Sequence, residues 1–144
     1  MTQEEKDLLL KDLCARVPYG VKAISKIPIN QNESKEIVGQ VTSVHYNVSI
    51  VQVGGFDVIV DYNPYFEIKP YLFPLSSMTE EQKQEYTYIV NYISSDDTEN
   101  WKEGEFIYVE QFTQLMHFYH INHLDYMGLI PMGLVNDATG LNIY

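Results

Sequence analysis

Apolar and polar positions recur along this chain with two different periods, and the change of period divides it. Over residues 2–16, Leu9, Leu10, Leu13, Cys14 and Val17 share one face at helical spacing, with Leu8 nearly opposite. Thr2 and Glu5 have the spacing of a capping box, and Pro18 ends the segment. The pattern predicts a helix that buries Cys14 among leucines. Residues 19–29 alternate loosely, as a strand does, and residues 30–35 form a polar loop. Residues 36–61 are the clearest β region, rich in Val and Ile. Gly54-Gly55 is a two-residue hairpin signal. A tight turn there pairs Val53 with Phe56, Val51 with Val58 and Ser49 with Val60. It also predicts a core face of Val51, Val53, Phe56, Val58 and Val60. Tyr46-Asn47 marks a turn before this hairpin. The parity of Val38, Val41 and Val44 changes within one segment, which predicts a bulge. Pro64, Pro70 and Pro74 mark residues 61–75 as extended and turn-rich, with one short edge strand near residues 66–69.

The helical period then returns. Thr79 and Gln82 form a second capping box, followed by Tyr86, Ile89, Val90 and Ile93 at i, i+3, i+4, i+7. A third helix is predicted over residues 109–122. Residues 128–135 contain Pro131 and read as a short helix or two turns, residues 137–140 as a turn, and residues 141–144 as an apolar tail that docks. The expected fold is α+β. A small bent antiparallel sheet or partly open β-barrel occupies residues 19–69, the N-terminal helix covers one of its ends, and the C-terminal part is helical. The expected units are residues 1–75 and 76–144, with one continuous domain as the alternative. A length of 144 residues suits a single ordinary domain.

Charge narrows the function classes. The formal net charge is −11. Residues 1–70 hold seven basic and nine acidic side chains, and residues 71–144 hold two and eleven. Direct nucleic-acid binding through a basic surface is therefore not expected. Arg16 is the chain's one arginine, so there is no Arg cluster for phosphate recognition. Cys14, the single cysteine, can form neither an internal disulfide nor a multi-cysteine zinc site. The first residues are acidic and no apolar run approaches membrane-spanning length, so the expected setting is cytoplasmic and away from membranes. Twelve tyrosines favour contact with a partner.

The one grouping with possible chemistry is His117, His120, His123 and Asp125. Imidazole with carboxylate suits zinc or a similar ion. At about 100° per residue, however, the three histidines do not share a face. Phe112, Leu115, Met116 and Tyr119 cluster on one arc. His120 flanks that arc, His123 would fall inside it if the helix ran on, and His117 points to solvent. The expectation is that His123 and Asp125 form a capping or buried hydrogen-bonded pair, with no metal and no cofactor. No Gly-x-Ser-x-Gly, P-loop or Gly-x-Gly-x-x-Gly occurs. The aromatic strip Tyr62, Tyr65, Phe66, Tyr71 and Phe73 either fills the seam between the β part and the helices or offers an exposed binding surface. The candidate binding residues are thus Tyr62, Tyr65, Phe66, His120, His123 and Asp125.

Three stretches carry a family resemblance: residues 4–21 (EEKDLLLKDLCARVPYGV), 68–86 (IKPYLFPLSSMTEEQKQEY) and 125–144 (DYMGLIPMGLVNDATGLNIY). They resemble a set of small uncharacterised proteins of gut Bacteroides-type bacteria, their prophages and their mobile elements. That resemblance places a His-x-Asp-Tyr step on His123, Asp125 and Tyr126. Where the set often has Arg before the following Gly, this chain has Met127. The resemblance implies a bacterial or phage cytoplasmic setting and no particular activity. The leading expectation is a non-enzymatic accessory protein that binds another, unidentified protein and can also form homo-oligomers. The first alternative is a small-molecule or metal-binding protein or enzyme using the cluster from His117 to Asp125. The second is an acidic decoy of a DNA-binding protein, which needs the carboxylates of residues 80–110 in an exposed row.

Overall fold

A computed structural model describes residues 1–30, 33–60, 67–94 and 105–144. Tyr62, Tyr65 and Phe66, three of the candidate binding residues, lie outside the described residues, as does the acidic stretch around Trp101.

The first helix, α1 (Gln3–Arg16), begins as the pattern dictates. Thr2 Oγ1 accepts from the Glu5 backbone N–H at 3.1 Å, and a Glu5 carboxylate oxygen accepts from the Thr2 N–H at 2.6 Å. A 3-10 turn over Val17–Tyr19 and a left-handed Gly20 (φ 72°) then release the chain into the sheet. The buried arc of α1 is rotated from the predicted one. Leu9, Leu10 and Leu13 are buried, but so are Asp12 and Arg16, while Cys14 is exposed. The helix burial stripe is about 100° wide or more. Asp12 and Arg16 lie on the opposite flank of Leu9 from Cys14, so burying them turns the thiol outward.

Six strands follow: β1 (Lys22–Asn30), β2 (Glu33–His45), β3 (Ile50–Val53), β4 (Phe56–Ile59), β5 (Ile68–Leu72) and, late in the chain, β6 (Asn136–Asp137). They form one sheet in the order β4-β3-β2-β1-β5-β6, antiparallel except for the parallel β5–β6 pair, and it does not close into a barrel. The protein is therefore α+β, with an N-terminal helix and a C-terminal helical part.

The β3–β4 hairpin has the register that Gly54-Gly55 predicts, Val53 opposite Phe56 and Val51 opposite Val58, and the Val60 N–H donates to the Ser49 carbonyl at 2.7 Å. The bulge falls at Thr42, between Val41↔Val53 and Ser43↔Gln52. It keeps Val41 and Val44 on one face although they are an odd number of residues apart. Val51, Val53, Val58 and Val60 are core, but Phe56 is 53 % exposed. It has the right parity but opens the edge strand beside the turn, past the end of the core. The strand predicted as an edge near residues 66–69 is instead β5, interior between β1 and β6. Pro70, which lacks an N–H, sits within it opposite Ala23.

One core lies between α1 and the sheet: Leu9, Leu10 and Leu13 pack with Val41, Val51, Val53, Ile68 and Leu72. Leu129, Leu134 and Val135, from the turns after the last helix, enter the same cluster. A second, smaller core joins α2 (Glu80–Ser94) to α3 (Glu105–Ile121) through Ile89, Phe118 and Leu124. The two helices run antiparallel: Gln82 Nε2 donates to Asn122 Oδ1, and the Tyr86 ring meets Phe118 and Tyr119. Thr79 and Gln82 complete the second capping box.

The sheet has one point of unusually close backbone approach. A Cβ on Gly39 would lie 2.7 Å from Gly54 Cα and 2.8 Å from Gly54 N. Backbone cannot move aside as a side chain can. Gly39→Ala is therefore expected to cost about 2 kcal/mol or more in a urea melt. Gly55→Ala has open space but a φ of +86°, and is expected to cost about 1 kcal/mol. Equal effects would contradict the close approach.

Candidate functional site

The polar residues that the sequence offers for chemistry gather where α1 ends and α3 ends. Arg16, the last residue of α1, is fully buried together with Asp12 one turn earlier. Arg16 Nε donates to Asp12 Oδ2 at 2.7 Å, and Nη2 donates to the Leu124 carbonyl at 2.8 Å. The guanidinium also lies 5.3 Å from the centre of the Tyr126 ring. Burial pushes the Asp12 carboxyl above its ordinary range, against the downward pull of Arg16. One oxygen of Asp12, Oδ1, and one guanidinium nitrogen, Nη1, are buried without a protein partner.

The end of α3 explains how Leu124 reaches Arg16. The His123 N–H donates to the His120 carbonyl and the Leu124 N–H to the Tyr119 carbonyl, while His123 adopts φ 51°. This is a Schellman closure, with a histidine where glycine is the common residue. The chain then extends beside the end of β5. The Phe73 N–H donates to the His123 carbonyl, and the Asp125 N–H to the Phe73 carbonyl.

The four residues of the cluster are placed by this turn, and they face different partners. His120 is buried with its Nε2 3.1 Å from the Tyr126 hydroxyl. His123 stacks on Tyr144, with ring centres 3.8 Å apart and planes 13° apart, and its Nδ1 has no hydrogen-bond partner. Asp125 accepts from the backbone N–H groups of Leu129 and Ile130, at 2.8 Å each. It caps the following turn, but the expected His123–Asp125 pair does not form, because the left-handed His123 backbone sends its ring to Tyr144. His117 is exposed as expected, and its Nδ1 lies 3.2 Å from the Tyr19 hydroxyl. Among the described residues, no three His, Cys, Asp or Glu side chains stand close enough to hold a metal ion. The Tyr144 hydroxyl donates to the Tyr71 carbonyl at 2.6 Å and accepts from the Lys22 N–H, so the final residues dock beside β1 and β5. Of the aromatic strip, Tyr71 is buried and Phe73 packs on the second core, both in the seam.

Beside this polar junction, a groove of about 540 Å³ runs between α2 and α3. Ile89, Met116 and Phe118 line it, with Tyr88, Glu85 and the Tyr19–His117–His120 group around them. The sequence pattern missed this surface. It predicted one apolar arc on α3 centred on Phe112, Leu115, Met116 and Tyr119. Phe112 is 55 % exposed, and the most deeply buried ring is Phe118, which faces α2. Helix α3 is held from two sides, by α2 and by Tyr19 with Tyr126, so its buried positions form two arcs. The tyrosines were the available signal. Tyr88 is 70 % exposed, on the outer side of α2.

Among the described residues, no helix is long and apolar enough to cross a membrane. Of the carboxylates in residues 80–110, Glu80, Glu81 and Glu85 are exposed on α2. No protein-family model matches this chain, and no curated protein or solved structure is significantly similar to it.

Two predictions follow from the junction. Removing one member of a buried ion pair strands the other, so Asp12→Leu or Arg16→Met alone is expected to cost about 3–5 kcal/mol. The double variant should lose clearly less than the sum, and additive losses in a double-mutant cycle would contradict the pairing. Burial, with Arg16 adding to it, holds the imidazoles of His120 and His123 down at about 4, against an ordinary value of 6.5. The native state then binds fewer protons than the unfolded chain between those values. The associated stability is fully present above pH 6.5 and is lost as the pH falls towards 4. Between about pH 7 and pH 5 each histidine should remove about 1–2 kcal/mol, with the raised Asp12 carboxyl opposing the trend. Urea melts of His120→Gln should show a flatter pH dependence than the parent, and an unchanged slope would contradict the assignment.

Proposed function

We propose that this chain is a non-enzymatic accessory protein that binds another protein through the face formed by α2 and α3. The observation that carries the reading is the groove itself. It is an opening floored by Ile89, Met116 and Phe118 and edged by an exposed Tyr88, on a chain whose His120 and Asp125 are engaged internally. Apolar surface edged by tyrosine and polar residues is the composition of a protein contact site. A small-molecule or metal chemistry at His120, His123 and Asp125 would need those groups to converge, and each faces a different partner. The family resemblance supports a cytoplasmic phage or mobile-element setting for this role.

A photo-crosslinking amino acid placed at Tyr88 or Gln114 in cells tests the reading, with Glu4 on α1 as the control position. One discrete protein adduct from the groove positions and none from Glu4 is the expected result. Equal labelling from all three positions, or none from the groove, would overturn it.

A further inference from the structure

We propose that the α2–α3 groove takes a basic amphipathic helix of the partner protein, seated by an apolar stripe on Ile89, Met116 and Phe118 and drawn in by Glu85. The inference rests on the functional reading above and adds the chemistry of the occupant. Three features argue for it.

The first is shape. Helix α2 has 15 residues and α3 has 17, giving a trough of about 22 Å at 1.5 Å per residue. That is the length of about four helical turns, whose i, i+3, i+4, i+7 positions supply one continuous stripe.

The second is backbone chemistry. Both walls are helices, whose N–H and C=O groups are already paired along their middles. An extended peptide lying in the trough would bring unpaired backbone polar groups against apolar side chains, which is costly. A helix satisfies its own backbone.

The third is charge. The described lining includes Glu85 and no Lys or Arg, and Glu80 and Glu81 stand on the same helix. The basic residue of α2, Lys83, is held by Glu80 at 2.7 Å. Residues 71–144 carry two basic against eleven acidic side chains, so the field around the groove is negative. An anionic membrane surface, the other common host of amphipathic contacts, would be repelled by it.

The test uses fluorescein-labelled helical peptides of about 18 residues. One has a Leu stripe on a Lys background, one has the same stripe on a Gln background, and one is a scrambled Leu/Lys sequence. Fluorescence anisotropy is read at about 50 mM and about 300 mM salt. The Leu/Lys stripe peptide is expected to bind about tenfold or more tighter than the scrambled one, and to weaken with salt. Tyr88→Ser should weaken it about tenfold and Glu85→Lys several-fold. Both positions are exposed, and circular dichroism checks that the variants fold. Equal binding of the Gln-background peptide would overturn the basic character while leaving the groove reading in place. Binding that ignores the stripe or both substitutions would be adsorption to an acidic surface, and would overturn the proposal. Self-association in sedimentation velocity that Tyr88→Ser abolishes would make a second copy the occupant, which also overturns it. No peptide binding, with a discrete crosslink still obtained from Tyr88, would reject the helix and retain the partner.

Discussion

A buried arginine sets the terms for the rest of this fold. Arg16 ends α1 with no exposure to solvent, and its guanidinium must be satisfied where it lies. Asp12 supplies the countercharge from the same helix. The second contact reaches much further along the chain, to the Leu124 carbonyl, and the Tyr126 ring covers the group. The helix that covers the sheet is therefore tied to the turn that closes α3. That turn is in turn hydrogen-bonded beside Phe73, and β6 pairs with Tyr71 and Leu72. Buried charge is a poor source of net stability but a strong source of specificity, since any other arrangement strands an ion. Here it fixes how the helical part sits against the β part.

This constraint was the least legible feature in the sequence. Residues 2–16 showed their helix, its cap and its leucine face. The hairpin register could be read from Gly54-Gly55, and the bulge from the valine parity, because these are local rules whose residues are adjacent. Arg16 was visible as the single arginine, but nothing local says that a charged side chain will be buried. Its partners lie one turn back and more than one hundred residues ahead. Cys14 and Phe56 were misplaced for related reasons. Periodicity gives the faces of an element, whereas the rotation of α1 and the extent of the core are set by long-range contacts. β5 became interior because a two-residue strand from the far end of the chain joined it, and no sequence rule flags so short a strand.

The candidate site divides in the same way. The cluster from His117 to Asp125 stood out in the sequence because of residue type, yet each member has a different partner, and Asp125 and His120 are taken up by the turn and by Tyr126. The groove did not stand out, because it belongs to two helices whose faces meet only in three dimensions. The exposed Tyr88 and the acidic face of α2 were its traces in the sequence. The polar junction positions the groove: Tyr19 leaves α1 beside Arg16, contacts His117 and His120, and forms one end of the lining.

The account stands on the claim that Arg16 couples the two parts of the molecule. Arg16→Lys retains a positive charge beside Asp12 but gives up the planar fork that reaches Leu124 and stacks on Tyr126. Native-state amide hydrogen exchange on the parent and on this variant is the most direct test. In the variant, amides of the last turns of α3 and of residues 123–137 should lose protection well ahead of those in β1, β2 and β3. Protection unchanged throughout, or reduced equally in the sheet and in α3, would contradict the claim.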